Sequence, residues 1–221
     1  MPPGRHPGSG AGAARRPRIA VFASGNGSNF QALVEAERAG LLDGHIGLLV
    51  CDKPQARVIE RAARLDVPVF SFRPRDYASR EDYEAEIVSR LREHQIDLIV
   101  LAGYMRIVTP VLLEAYPERI VNIHPSLLPA FPGLHAVRQA LEHGVKVTGA
   151  TVHFVDGGMD TGPIIAQRAV EVLEDDTEET LADRIHAIEH ELYREAVQLI
   201  CEGRVRVVDG KRVEIDRTAR R

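Results

Sequence analysis

Three short runs constrain this chain most: residues 18–23 (RIAVFA), 46–51 (IGLLVC) and 96–102 (IDLIVLA) are apolar almost throughout. A strand with one wet face alternates apolar and polar residues, because successive side chains point to opposite faces. Strands apolar at successive positions must be covered on both faces, which is the signature of a parallel sheet between two layers of helix. The intervening stretches supply those helices. Residues 29–39 carry Phe30, Leu33, Val34 and Ala36 near one helical face, residues 55–65 follow the second run, and 79–94 form a charged amphipathic segment. A short strand is expected over 67–71.

The second half reads differently. A strand over 120–124 precedes a helix over 134–143. Strands near 147–155 and 164–172 are joined by a loop containing Gly157 and Gly158, and a long helix runs over 177–202. The tail RVRVVDGKRVEI places Asp209-Gly210 between alternating residues, a strong hairpin signal. The expected fold is one α/β domain over 17–221. It has a mostly parallel open sheet of Rossmann-like type, helices on both faces and a C-terminal β-hairpin. Residues 1–16, rich in Gly, Pro, Ala and Arg, read as a disordered extension without a targeting role.

The length of 221 residues and 44% hydrophobic content support one core. A formal net charge of -4 argues against nucleic-acid binding through bulk positive charge, while leaving room for local phosphate or carboxylate sites. No run is long and apolar enough to span a membrane. Cys51 and Cys201 form neither a disulfide framework nor a zinc-ligand spacing; Cys51 reads as a core residue, and a reducing cytoplasm suits both. No His, Asp, Glu or Cys set has metal spacing. His186 and His190 stand at i and i+4, but the stripe Leu181, Ile185, Ile188, Leu192 and Leu199 leaves them on a solvated face, with Glu189 at its edge.

Two segments carry chemistry. The first strand runs into Ser24-Gly25-Asn26-Gly27-Ser28-Asn29 and then a helix. Glycines permit the tight turn, and a helix N-terminus offers unpaired N–H groups to a phosphate. The alternative is a plain turn with Ser28 as N-cap. The second segment is Asn122-Ile123-His124-Pro125. Asn122 and His124 share one strand face at a carboxyl edge, where open α/β sheets bind ligands, while Val121 and Ile123 face the core. An amide and an imidazole side by side suit acyl transfer, where one donates to an oxyanion and the other stabilises charge or moves a proton. A carboxylate from the Gly157-Gly158 loop can orient His124; Asp156 and Asp160 are both candidates. His153 either borders this site or is a packed, hydrogen-bonded core residue.

Four signatures in this order, S-G-N-G-S-N, A-G-Y-M-R-I (102–107), N-I-H-P-S-L-L-P and D-x-G-P (160–163), resemble the folate-dependent glycinamide ribonucleotide formyltransferase family over about residues 17–207. The resemblance implies transfer of a formyl group from 10-formyltetrahydrofolate to the amine of glycinamide ribonucleotide in purine biosynthesis. It implies that Asn122, His124 and Asp160 are catalytic, and so selects Asp160 over Asp156. It implies that Gly27, Ser28, Asn29 and Glu189 hold the ribonucleotide. For the folate it implies Arg80, Met105, Arg106, Ile107, Val108, Asn122, Val155 and Asp156. No metal is implied, and a homodimer is left open. Ala130 departs from relatives that carry a basic residue there. Rival readings are a formyltetrahydrofolate hydrolase, a formyltransferase acting on initiator tRNA, and a noncatalytic folate- or nucleotide-binding protein. The tRNA enzymes are expected to add a C-terminal RNA-binding domain after the hairpin, and the intact set of Asn122, His124 and Asp160 argues against lost chemistry.

Overall fold

A computed structural model describes residues 15–218. The strands β1 (Arg18–Phe22), β2 (His45–Cys51), β3 (Val69–Ser71), β4 (Leu98–Leu101) and β5 (Ile120–His124) run parallel in the order β3-β2-β1-β4-β5. Two more strands, β6 (Val147–Phe154) and β7 (Ile164–Glu171), continue the sheet antiparallel beyond β5. A separate hairpin of β8 (Val205–Val208) and β9 (Arg212–Ile215) turns at Asp209-Gly210. The fold expected from the apolar runs is the fold observed.

Alternation along the strands builds two cores. Ile19, Val21, Leu98, Val100, Val121 and Ile123 face one layer, formed by α1 (Ser28–Arg38), α2 (Arg57–Arg64) and α6 (Glu178–Cys201). Ala20, Phe22, Ile99, Leu101 and Ile120 face the other, formed by α3 (Arg80–Glu93) and α4 (Pro110–Ala115). Cys51 sits in the first core, as expected. A short helix, α5 (Ala136–Glu142), packs near α6.

Helix α4 was not expected from periodicity. Its signal is local: the Thr109 side chain accepts from the Val111 N–H, and Pro110 occupies the first turn, where its missing N–H costs nothing. Of the extension expected over 1–16, residues 1–14 lie outside the described residues. Arg15 and Arg16 are tied to the domain, Arg15 through Asp97 at 2.8 Å and Arg16 through the Leu42 carbonyl at 2.7 Å.

Tyr193 on α6 joins the layers to the site's floor. The single proton of its fully buried hydroxyl is shared between the carbonyls of Leu101 at 2.8 Å and Val121 at 3.0 Å, on adjacent strands. Tyr193→Phe leaves both carbonyls without this donor and should cost about 1–2 kcal/mol, read as a lowered midpoint of urea denaturation.

Candidate active site

The crevice lies where the strand order reverses, between β1 and β4, at the carboxyl ends of the parallel strands. The loop after β1 and the loop after β4 are pinned together. Ser24 is buried, its N–H donates to the Gly103 carbonyl at 3.0 Å, and its hydroxyl accepts from the Met105 N–H at 3.0 Å.

Gly27 ends the first loop with φ 75 and serves as N-cap of α1, with no side-chain cap. The first-turn N–H groups of α1 are therefore left without a side-chain acceptor, at the positive end of the helix. Ser28 is the first helical residue, so the alternative of a Ser28 N-cap is set aside. A side chain at position 27 would meet Val58 Cγ2 at 2.3 Å, so both the backbone conformation and the packing require glycine. Asn29 Nδ2 donates to Glu189 Oε2 at 3.1 Å, and Asn29 Oδ1 is buried without a partner.

Across the crevice, Asn122 and His124 share a face, opposite Val121 and Ile123 in the first core. Antiparallel pairing sets Asn122 against His153 and His124 against Thr151. Asp160 reaches between the two imidazoles: Oδ2 is 3.4 Å from His124 Nδ1, and Oδ1 is 3.6 Å from His153 Nε2. The Gly133 N–H donates to Asp160 Oδ2 at 2.8 Å. His124 Nε2 faces the Phe131 carbonyl at 2.8 Å, so both its ring nitrogens face acceptors, an arrangement in which an imidazolium can donate twice. Burial pushes the Asp160 carboxyl up. The His153 hydrogen bond, the Gly133 N–H and the charges of His124 and His153 outweigh it, leaving the group below the usual carboxylate range.

Asp156, the rival carboxylate, is turned into its own loop, accepting from the Gly158 N–H at 3.0 Å and the Thr161 hydroxyl at 2.7 Å. His153 fulfils both of its readings. It is buried, with Nδ1 2.8 Å from the Phe154 carbonyl, and Nε2 lies 3.3 Å from Asn122 Nδ2. An Nε2–H that donates to Asp160 cannot also accept from Asn122, so the Asn122 amide hydrogens are left for a ligand. A cavity of about 110 Å³ opens on this group, lined by Arg106, Ile107, Val108, Asn122, Val155 and Asp160 among others. Ile107 and Met159, both more than half exposed, give it an apolar wall.

Comparison with known proteins gives the family. A family model described as Formyl transferase matches residues 17–197. Phosphoribosylglycinamide formyltransferase of Bacillus subtilis (strain 168) is 55% identical over 181 residues, covering 82% of this chain and 93% of that protein. The enzyme of the same name from Mycobacterium tuberculosis (strain CDC 1551 / Oshkosh) is 46% identical over 191 residues, 86% of this chain and 88% of that one. The crystal structure of glycinamide ribonucleotide transformylase 1 from Symbiobacterium toebii matches with a TM-score of 0.89 and 51% identity, over 91% of this chain and 95% of that chain. The chain belongs to the phosphoribosylglycinamide formyltransferase family.

Other residues expected at the family's site fall into three groups. Met105 is exposed and does not line the cavity, though its N–H is held by Ser24, and Val108 is buried in the cavity wall. Arg106 lines the cavity, but its guanidinium is held by Asp52, Nε to Oδ2 at 2.7 Å. Arg80 is exposed at the first position of α3 and does not line the cavity.

Two readings of α6 are corrected. His190 is half-buried rather than solvated, and burial lowers its basicity, with the His186 charge adding to that. Glu189 is not at an edge: it is 4% exposed, in line with buried Leu181, Ile185 and Leu192. Burial pushes its carboxyl above the usual range, only partly offset by the Asn29 hydrogen bond and the His186 charge. A carboxyl whose folded pKa is raised destabilises the fold as pH rises from the ordinary carboxylate range through the folded value. Glu189→Gln, which can still accept from Asn29, should therefore resist urea better than the parent at neutral pH. The gap should close as pH falls into the ordinary carboxylate range; equal stability at every pH would mean the buried carboxylate carries no penalty.

Proposed function

We propose that this enzyme transfers the formyl group of 10-formyltetrahydrofolate to the amine of glycinamide ribonucleotide, yielding formylglycinamide ribonucleotide and tetrahydrofolate, in purine biosynthesis. The observation that carries the reading is the meeting of Asn122, His124 and Asp160 between an open helix N-terminus and an apolar-walled cavity. Its relatives' names and the extent of identity support the same substrates.

The ribonucleotide phosphate docks on the backbone at Gly27, Ser28 and Asn29, and Glu189 with Asn29 meets the ribose. The folate lies against Met105, Arg106, Ile107, Val108, Val155 and Asp156, with Arg80 near its outer end. The substrate amine attacks the formyl carbon directly, with no acyl-enzyme. Its nitrogen forms the new C–N bond, and the carbonyl electrons move onto oxygen. Asn122 donates an N–H to that oxyanion, in a site where such a donor contributes about 3 kcal/mol. His124, held by Asp160, stabilises the same charge. Collapse breaks the bond to folate N10, and the proton lost by the amine passes to N10 through His124 or a water held by Asp160. Fixing both reactants beside these groups makes the step effectively unimolecular. The free thiols of Cys51 and Cys201 suit a reducing cytoplasm.

The test mixes protein with 10-formyltetrahydrofolate, with and without glycinamide ribonucleotide. Tetrahydrofolate should appear only with the ribonucleotide, in equal amount to formylated product. Release without the acceptor would mark a hydrolase, and no release from folded protein a binding protein. Asn122→Ala should lower kcat about 10²–10³-fold with the fold intact by circular dichroism, and near-normal turnover of either Asn122→Ala or His124→Ala would remove that residue from the mechanism.

A further inference from the structure

A second and larger cleft, of about 550 Å³, shares Arg106 with the cavity above but lies over the other half of the sheet. It is lined by Ser24 and Gly25 after β1, by the segment from Asp52 to Arg57 after β2, and by Arg73, Pro74 and Arg75 after β3. Lys53, Arg57, Arg73, Arg75 and Arg106 converge on it in a chain whose formal net charge is -4. Among the described residues, Lys53, Arg57 and Arg73 form no ion pair, and Arg75 has only the exposed Asp76 at 3.9 Å. A field of one sign inside a cleft recruits an anion.

The floor makes a second demand. Asp52 directly follows β2, is 3% exposed, and is the one acid lining the cleft. Its Oδ2 accepts from Arg106, while its Oδ1 is buried without a partner. A carboxylate oxygen left so is costly unless a donor reaches it. The cleft thus calls for a ligand with hydroxyl donors at one part and several negative charges at another.

The topology points to the same chemistry. The order β3-β2-β1-β4-β5 is that of a nucleotide-binding sheet, in which an acidic residue at the end of the second strand takes ribose hydroxyls and basic side chains nearby accept phosphate. The formyl-transfer reading uses the β1–β4 crevice and leaves the β1–β3 half unassigned. We propose that this cleft is a second ribonucleotide site, for a nucleoside diphosphate whose ribose donates to Asp52 Oδ1 and whose phosphates meet Lys53, Arg57, Arg73 and Arg75. A chain of carboxylates would match the basic rim but offers no hydroxyl to Asp52.

The test is calorimetric titration of the full chain with ADP, alone and with saturating glycinamide ribonucleotide. One ADP should bind per chain in both cases. Adenosine, tripolyphosphate and 2′,3′-dideoxy-ADP should each bind at least about tenfold more weakly than ADP, a loss read directly in Kd. The double variant Arg73→Ala/Arg75→Ala should weaken ADP by at least about tenfold while formyl transfer measured without ADP is unchanged. The proposal is overturned if ADP does not bind, if glycinamide ribonucleotide displaces it, or if the double variant binds it normally. It is equally overturned if tripolyphosphate or γ-linked triglutamate binds as tightly as ADP, which would make the cleft a site for anions alone, or if the dideoxy analogue does, which would remove Asp52.

Discussion

The candidate centre depends on one carboxylate held between two imidazoles. Asp160 is part-buried, and a charge in such a place persists only where donors surround it. Its donors come from three separate segments: His124 at the end of β5, His153 on β6, and the Gly133 N–H from the turn after β5. None of these contacts is strong alone. Together they fix where the β5 turn and the β6–β7 loop must sit, so the same group that organises charge also organises backbone.

The loop carrying Asp160 is built to bring it there. Gly162 lies so close to the end of β6 that a Cβ would stand 1.9 Å from the Phe154 carbonyl, and only glycine lets the chain pass. Asp160 itself has φ 55, a left-handed conformation that aspartate tolerates better than most residues. Asp156 closes the front of the loop through Gly158 and Thr161. The two acids therefore have different duties four residues apart, one turned inward to the histidines and one spent on the loop's own shape.

This explains which parts were legible in the sequence. Periodicity reports what a strand buries, so the runs at β1, β2 and β4 and the shared face of Asn122 and His124 could be read directly. Choosing Asp160 over Asp156 from the residues alone was beyond reach, because it turns on a loop fold and not on a pattern; only the family resemblance chose. His153 stayed open because its role follows from the antiparallel pairing of β6 with β5, which sets it opposite Asn122. Glu189 was misplaced on its helix because a stripe counted from apolar residues alone skips a buried acid. The register Leu181, Ile185, Glu189, Leu192 follows the core only if a carboxyl is admitted to it. Helix α4 escaped because its six residues are too few for periodicity to register, and capping chemistry was its only mark.

The same contrast between pattern and place resolves the charge of the molecule. A formal net charge of -4 describes the whole surface, not the sites. Glu189 sits beside the open N-terminus of α1 yet is buried on Asn29, with its pKa raised, so less negative charge stands where an anion would dock. Arg106 is neutralised by Asp52, while its backbone segment is tied to the first loop through Ser24 and Met105. Lys53, Arg57 and Arg73, which form no ion pair among the described residues, are gathered in the cleft over β2 and β3. Acidic chains can thus handle anionic ligands when backbone N–H groups at a helix start and a local cluster of cations set the potential at the site, which the net value of the whole surface does not report.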